Sequence, residues 1–99
     1  MRILVDAMGG DNAPDAIVNG CIDAVKSRNG FDIVLIGNNS RITKILNSRK
    51  FNSPRIQVIH AKEVITNEDI PTRAIRLKKN SSMVVGFNML KQKEGDVFI

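Results

Sequence analysis

The chain has 99 residues and a mass of 11.0 kDa, which allows at most one small domain. Its net charge of +5 favours an acidic or phosphorylated partner, whereas its four aromatic residues, all Phe, give the bases of a nucleic acid little to stack on. A single cysteine, Cys21, excludes a disulfide framework and a cysteine-rich zinc site within these residues, and no apolar run approaches the ~20 residues of a membrane span. We therefore expect a cytoplasmic protein that does not bind nucleic acid.

The first predicted elements are a short buried strand over residues 3–5 and a helix that begins near Pro14. Between them lie Asp6 and the glycines Gly9 and Gly10. Glycines can adopt positive φ and direct successive backbone N–H groups to one point, and a helix N-terminus adds unpaired N–H groups. The stretch therefore predicts a phosphate-binding turn. A simple tight turn is the alternative, because the glycine pair lacks the spacing of the dinucleotide fingerprint and of the P-loop.

Two carboxylates, Asp6 and Asp11, complicate this hypothesis because they would repel a phosphate. They could bind a metal, pair with an incoming Arg or Lys, or cap backbone N–H groups. Since no further ligand cluster lies nearby in the sequence, we expect capping and pairing in preference to a metal site.

The first helix has apolar residues at helical spacing, and Pro14 suits its first turn. Either Asn12 or Ala13 is expected to cap it, and Gly30 to end it in a left-handed conformation. Cys21 belongs to the apolar face, which predicts a buried thiol more than a reactive one. The apolar face comprises Ala16, Ile17, Cys21, Ile22 and Val25.

Two further strands and one helix follow at the spacing of βαβ units. Residues 31–36 are almost all apolar, as expected of a parallel strand covered on both faces, and residues 56–59 form the next strand. A helix capped at Ser40 lies between them. This order predicts an α/β fold with a parallel sheet and right-handed crossovers. In that helix, Ile42, Ile45 and Leu46 should face inward, and Arg41, Lys44, Arg49 and Lys50 outward.

The third strand is followed by His60, at the edge where α/β proteins bind ligands. A lone His without a carboxylate partner is nevertheless more typical of a structural residue. Residues 60–69 are predicted to be irregular. Later in the chain, Gly95 should end a helix and residues 96–99 should open a fourth strand. Because a parallel strand needs a neighbour, we expect the chain to be part of a larger domain and to stop within this strand.

A basic helical stretch over residues 71–79 forms the second candidate site. The structural explanation of these cations is that positive charges stabilise the C-terminal end of a helix through its dipole. The functional explanation is that the cations precede Ser81 and Ser82, which begin the next helix, and this combination suits a phosphate or an acidic protein. Arg76 and Lys79, three residues apart, could share one helical face.

Three sequence blocks together resemble one family. The first is Val5-Asp-Ala-Met-Gly-Gly-Asp11 followed by Ala13-Pro14, and the last is Arg76-Leu-Lys-Lys-Asn-Ser-Ser-Met83, preceded by Pro71 and by Ala74-Ile-Arg76. A connecting block contains His60-Ala61 and Glu63-Val-Ile65. In this order, and over the whole chain, the blocks are similar to the bacterial phosphate acyltransferases (acyl-carrier-protein:phosphate transacylases).

The resemblance implies a homodimeric α/β enzyme with a Rossmann-like three-layer fold, of which residues 1–99 form the N-terminal portion. Such an enzyme transfers a fatty acyl group from acyl-acyl carrier protein to inorganic phosphate for phospholipid synthesis and requires no cofactor. The acyl phosphate is used by a membrane-bound glycerol-3-phosphate acyltransferase, which implies a cytoplasmic protein peripherally associated with the membrane.

The chain departs from the family pattern at two places. Asn12 stands where the family usually has His, so position 12 cannot supply a general base. The family's Ser-Ala-Gly-Asn-Thr-Gly block would follow the strand that begins at Asp96, beyond Ile99. These residues alone are therefore expected to be inactive, and no catalytic residue is assigned.

The resemblance and the residue patterns agree on the chemistry, which requires a phosphate held still beside a carbonyl group. Backbone N–H groups and hydroxyls would donate hydrogen bonds to the phosphate, and two cations would neutralise it. No metal is assigned. The predicted set is Asp6, Gly9, Gly10, Asp11, Arg76, Lys79, Ser81 and Ser82.

Two other functions compete with this one. The first is a non-catalytic α/β module that binds a nucleotide or a phosphorylated ligand through the same glycine turn. The second, less favoured, is a small basic domain whose affinity for nucleic acid would fall steeply with salt.

Overall fold

The computed structural model describes residues 1–65 and 69–99, and the predicted irregular segment over residues 60–69 lies partly outside them. Within the described residues, the chain forms one parallel sheet with flanking helices, so the predicted α/β class is confirmed. No helix in this part of the chain is long and apolar enough to cross a membrane. The strands are β1 (Arg2–Asp6), β2 (Asp32–Gly37), β3 (Ile56–His60) and β4 (Val97–Phe98). The helices are α1 (Asp15–Ser27), α2 (Asn39–Ser48), α3 (Pro71–Leu77) and α4 (Ser82–Lys91).

The strands pair in the order β3-β2-β1-β4, and every pair is parallel. β1 therefore has a neighbour on each side, and it contacts β4 through Ile3↔Val97 and Leu4↔Phe98. The pairing continues past β4, because the N–H of Asp6 donates to the carbonyl of Ile99 at 2.9 Å. Since all strands run in the same direction, their carboxyl ends lie at one edge of the sheet, and Asp6 ends β1 at that edge.

The sheet is buried on both faces, which explains why β2 is apolar without alternation. Successive side chains point to opposite faces, so Ile33 and Leu35 pack toward α1 and α2, while Val34 and Ile36 pack toward α4. This arrangement gives the three layers that the family resemblance implies. The helix residues of the first cluster include Val18, Ile22, Val25 and Ile42, and those packed on the second are Val85, Met89 and Leu90.

The first helix differs from the prediction at its start. It begins at Asp15, and its N-cap is Pro14, which makes no side-chain cap hydrogen bond. The expected cap at Asn12 or Ala13 is therefore wrong, because residues 11–14 form turns ahead of the helix. Val18 is buried, whereas Ala16, predicted to face the core, is exposed.

The caps of α2 and α4 follow the usual N-cap chemistry. The side-chain oxygen of Asn38 accepts from the N–H of Arg41 at 3.1 Å, so the predicted cap at Ser40 is wrong by two positions. Ser81, one of the two serines predicted to begin the helix, is the cap of α4, since its hydroxyl oxygen accepts from the N–H of Val84 at 3.2 Å.

Two helices end with a lysine in the left-handed region. Lys50 follows the cap of α2 with φ 52°, and Lys93 follows the cap of α4 with φ 61°. The N–H of Glu94 then donates to the carbonyl of Met89 at 2.9 Å, which is the long bond of a Schellman motif. The prediction that Gly95 ends α4 is therefore wrong. Gly30 has the expected positive φ, 96°, but lies two residues after Arg28, the cap of α1.

The role of Gly95 is a close approach to β1. A methyl carbon at this position would lie 2.4 Å from Cγ of Leu4, which is fully buried in the sheet. Only a residue without a side chain lets the segment before β4 pass this close to Leu4.

Arg49 joins α2 to α1, although it was predicted to point outward. Its guanidinium donates to Oδ1 of Asn19 at 3.1 Å and pairs with Asp23 at 2.9 Å. These contacts fix two neighbouring helices on the same face of the sheet.

Gly95→Ala is expected to lower the free energy of unfolding by about 1–3 kcal/mol, because Leu4 is enclosed and cannot move aside. Gly20→Ala is the matched control: Gly20 is exposed within α1, and a methyl carbon there would meet no atom within 4 Å. This variant should raise the free energy of unfolding by about 0.5–1 kcal/mol, because Ala restricts the unfolded chain more than Gly does. Denaturant-induced unfolding of the full-length protein measures both. If both variants change the free energy of unfolding in the same direction, the close approach of Gly95 to Leu4 is contradicted.

Candidate functional site

Asp6 connects two parts of the chain that are distant in sequence. Its Oδ1 accepts from the N–H of Met8 at 2.9 Å and from the hydroxyl of Ser82 at 2.6 Å. The first bond folds the chain back directly after β1, as Asp side chains commonly do in turns. The second attaches the first turn of α4 to the end of β1. Asp6 thus performs the capping role expected of it.

The glycine turn begins where the hydrogen bonding of the sheet stops. The N–H of Ala7 still donates to the carbonyl of Ile36 at 2.9 Å, and the N–H of Met8 donates to the side chain of Asp6. In the described part of the chain, the N–H groups of Gly9 and Gly10 make no hydrogen bond, and both residues are exposed. Gly10 has φ 90°, a conformation that glycine adopts without strain. The turn therefore offers two free donors beside Asp6.

The start of α4 is held by the segment that follows β3. The N–H of Ser82 donates to the carbonyl of Glu63 at 3.1 Å, and the N–H of Glu63 donates to the carbonyl of Asn80 at 3.2 Å. Oε1 of Glu63 also accepts from the N–H of Asn80 at 3.2 Å. The sequence patterns gave Glu63 no role beyond its place in a family block, because this contact depends on a pairing of distant segments.

The two serines predicted to bind phosphate are buried. Ser81 has no exposed surface and uses its hydroxyl as the cap of α4. Ser82 is 1% exposed and donates its hydroxyl to Asp6. The structure therefore brings Ser82 next to Asp6 and the glycine turn, but gives both hydroxyls partners within the protein.

The predicted cations divide into two groups. Lys78 is held in the fold, since its Nζ donates to the carbonyl of Val64 at 2.9 Å and pairs with Asp69 at 2.9 Å. The side chains of Arg76 and Lys79 are exposed and make no hydrogen bond to any described residue. The expectation that these two share a helical face is wrong, because α3 ends at Leu77 and Lys79 lies beyond its cap.

The contacts of His60 and Cys21 indicate that both residues have structural roles. Nδ1 of His60 accepts from the N–H of Asn39 at 3.1 Å, so the imidazole holds the start of α2, in agreement with the structural role expected of it. Cys21 is partly buried against the core on the α1 face of the sheet, and this burial raises the pKa of its thiol. A thiol with a raised pKa has less nucleophilic thiolate, which agrees with the prediction that Cys21 is not reactive.

Comparison with known proteins identifies the family. A family model described as fatty acid synthesis protein matches residues 1–99, which is the whole chain. The chain belongs to this family.

The relatives that the chain matches share one name, phosphate acyltransferase. The chain is 63% identical over 99 residues to the phosphate acyltransferase of Acetivibrio thermocellus, and 48% over 99 residues to that of Alkaliphilus oremlandii. It is 44% identical over 100 residues to the phosphate acyltransferase of Chlorobaculum parvum. Each match covers 100% of the chain, but the chain spans only about 29% of the length of each of these curated relatives. The resemblance seen in the three sequence blocks is therefore confirmed.

Ser82→Ala is expected to lower the free energy of unfolding by about 1–2 kcal/mol, because it removes the hydroxyl that donates to the Asp6 carboxylate. Ser48→Ala is the control: this hydroxyl donates to the carbonyl of Ile45 on an exposed helix end, and its loss should change stability by less than about 0.5 kcal/mol. Thermal unfolding of the full-length protein measures the difference. Equal small losses would show that the Asp6–Ser82 bond does not stabilise the fold.

Proposed function

We propose that the full-length protein transfers a fatty acyl group from acyl-acyl carrier protein to inorganic phosphate, producing an acyl phosphate for phospholipid synthesis. The observation that carries the proposal is that the whole chain is similar to proteins named phosphate acyltransferase. The identity to the one from Acetivibrio thermocellus is 63%. The free N–H groups of Gly9 and Gly10 beside the end of β1 support it, because they offer donors to an anion.

The proposed reaction is a substitution at the thioester carbonyl. An oxygen of hydrogen phosphate bonds to the carbonyl carbon, the carbon–sulfur bond breaks, and the phosphate proton passes to the departing thiolate. The step as written uses neither a side-chain nucleophile nor a cofactor. It does require a phosphate held still beside the carbonyl, and donors for the carbonyl oxygen as it gains charge.

We assign the phosphate contacts to the groups that are exposed and have no partner among the described residues. Gly9 and Gly10 would donate backbone N–H groups, and Arg76 and Lys79 would neutralise the charge of the phosphate. Exposed Asp11 borders the turn and would restrict where the anion sits.

Asp6, Ser81 and Ser82 act as positioning residues in this scheme. Their hydrogen bonds fix the glycine turn against the start of α4. The buried hydroxyls therefore shape the site, whereas the sequence patterns predicted that they would contact the phosphate directly.

The remaining parts of the proposal concern the cellular setting. The protein would act as a homodimer in the cytoplasm, peripherally associated with the membrane. A membrane-bound glycerol-3-phosphate acyltransferase would consume its product, since an acyl phosphate is reactive and must be used close to where it forms.

A module that binds a nucleotide or phosphate without catalysis is the second candidate. It would use the same free N–H groups of Gly9 and Gly10. The two functions differ in one result: only the enzyme cleaves the thioester of acyl-acyl carrier protein in a phosphate-dependent manner. Phosphate binding without this cleavage would support the module and refute the enzyme.

Arg76→Ala in the full-length enzyme is expected to raise the KM for phosphate about tenfold or more, because a charge-assisted contact to the anion is lost. Steady-state kinetics with acyl-acyl carrier protein and varied phosphate measure it. Lys44→Ala is the control, since Lys44 is an exposed cation on α2, which packs on the opposite face of the sheet from α4. An unchanged KM for phosphate in Arg76→Ala would refute the role given to this residue.

A further inference from the structure

Helix α3 presents an exposed surface that mixes cations with apolar side chains. Arg73, Arg76 and Leu77 line an open cavity of about 210 Å³. Leu77 is 78% exposed, and the neighbouring Ile70 and Ile75 are 54% and 48% exposed. We call Arg73, Arg76 and Leu77 the α3 surface. Residues three and four apart on a helix lie side by side, which places Arg73 next to both of the others.

The charge of the α3 surface is not neutralised within the described part of the chain. Neither Arg73 nor Arg76 forms an ion pair there, and α3 itself contains no acidic residue. Lys79, just beyond the helix, adds a further exposed cation. An acidic partner could therefore approach without displacing an internal carboxylate.

The opposite side of α3 is fixed to the protein. Ala74 is 4% exposed, and Lys78, the cap of the helix, donates to the carbonyl of Val64 and pairs with Asp69. The N–H of Ser81 donates to the carbonyl of Lys78 at 3.1 Å, so α3 leads directly into the cap of α4. The start of α4 in turn is bonded to Asp6. A macromolecule bound to α3 would thus lie beside the segment that leads into the start of α4.

We propose that the α3 surface docks an acidic protein that delivers the acyl group, with a carboxylate on Arg73 and an apolar side chain against Leu77. The proposal rests on the proposed function, in which the acyl donor is a carrier protein. The planar guanidinium of Arg73 can form two parallel hydrogen bonds with a carboxylate, which suits an acidic protein. The combination of arginine with an exposed apolar residue is also typical of protein interfaces. Because Arg76 is already assigned to the phosphate in the proposed function, Arg73 and Leu77 are the residues to test.

The first measurement is the affinity of the full-length protein for acyl-acyl carrier protein. Arg73→Glu is expected to raise the Kd about tenfold at ~0.1 M salt, and to reduce the salt dependence of binding, because it reverses a charge at the interface. Leu77→Ser should raise the Kd about threefold or more through lost apolar contact. Lys44→Glu, with the same change of charge on the opposite face of the sheet, should alter the Kd less than about twofold. A Kd unchanged in both α3 variants overturns the proposal.

The second measurement separates docking from chemistry. With acyl-pantetheine, a small neutral thioester, Arg73→Glu and Leu77→Ser should react at the rate of the unaltered enzyme, while their KM for acyl-acyl carrier protein rises in proportion to the Kd. A KM unchanged in both variants refutes the docking surface and leaves the proposed function intact. If the unaltered protein cleaves neither thioester but binds the carrier protein through Arg73, the proposed function fails and the docking surface stands.

The third measurement tests a membrane as the occupant of the α3 surface. Vesicles of phosphatidylglycerol and phosphatidylethanolamine are sedimented with the unaltered protein and with both variants. Vesicle binding that is lost in both variants, with an unchanged Kd for the carrier protein, overturns the proposal in favour of a lipid surface. Vesicle binding that is the same in all three proteins, with the expected changes in Kd, supports it.

Discussion

The hydrogen bond between the hydroxyl of Ser82 and the carboxylate of Asp6 joins residues 76 positions apart, and the geometry of the site depends on it. β1 is a central strand, so its end is fixed by pairing on both sides. The same Asp6 oxygen holds the N–H of Met8 and thereby bends the chain into the glycine turn. One carboxylate therefore positions both the turn and the first residue of α4.

This arrangement gives the acidic residue at the turn a structural role. Asp6 is partly buried, and its Oδ1 accepts from two donors, whereas its Oδ2 lies near Gly9 and would still repel a phosphate at the turn. Asp6 acts by fixing neighbouring groups, and the free N–H groups of Gly9 and Gly10 remain for a ligand. In the proposed site, the cations come from the α3 segment, which Lys78 and Glu63 hold against the rest of the fold.

Local patterns predicted most of the fold, because they depend on residues close in sequence. Signals of this kind are the apolar run of β2, the alternation of elements and the pair of serines at the start of α4. The features that were missed depend on distant pairing. Glu63 is recognised only from its bonds to Asn80 and Ser82, and Gly95 only from its approach to Leu4. The lysines that end α2 and α4 were also missed, since glycine is the usual residue at such positions.

The most direct test of the account is whether phosphate contacts the backbone of the glycine turn. The full-length protein is labelled with ¹⁵N-glycine, the signals of the turn are assigned with Gly9→Ala, and inorganic phosphate is added at constant ionic strength. We predict that the amide signals of Gly9 and Gly10 shift to saturation with phosphate and do not respond to chloride. Saturable phosphate binding that leaves both signals in place would contradict the account.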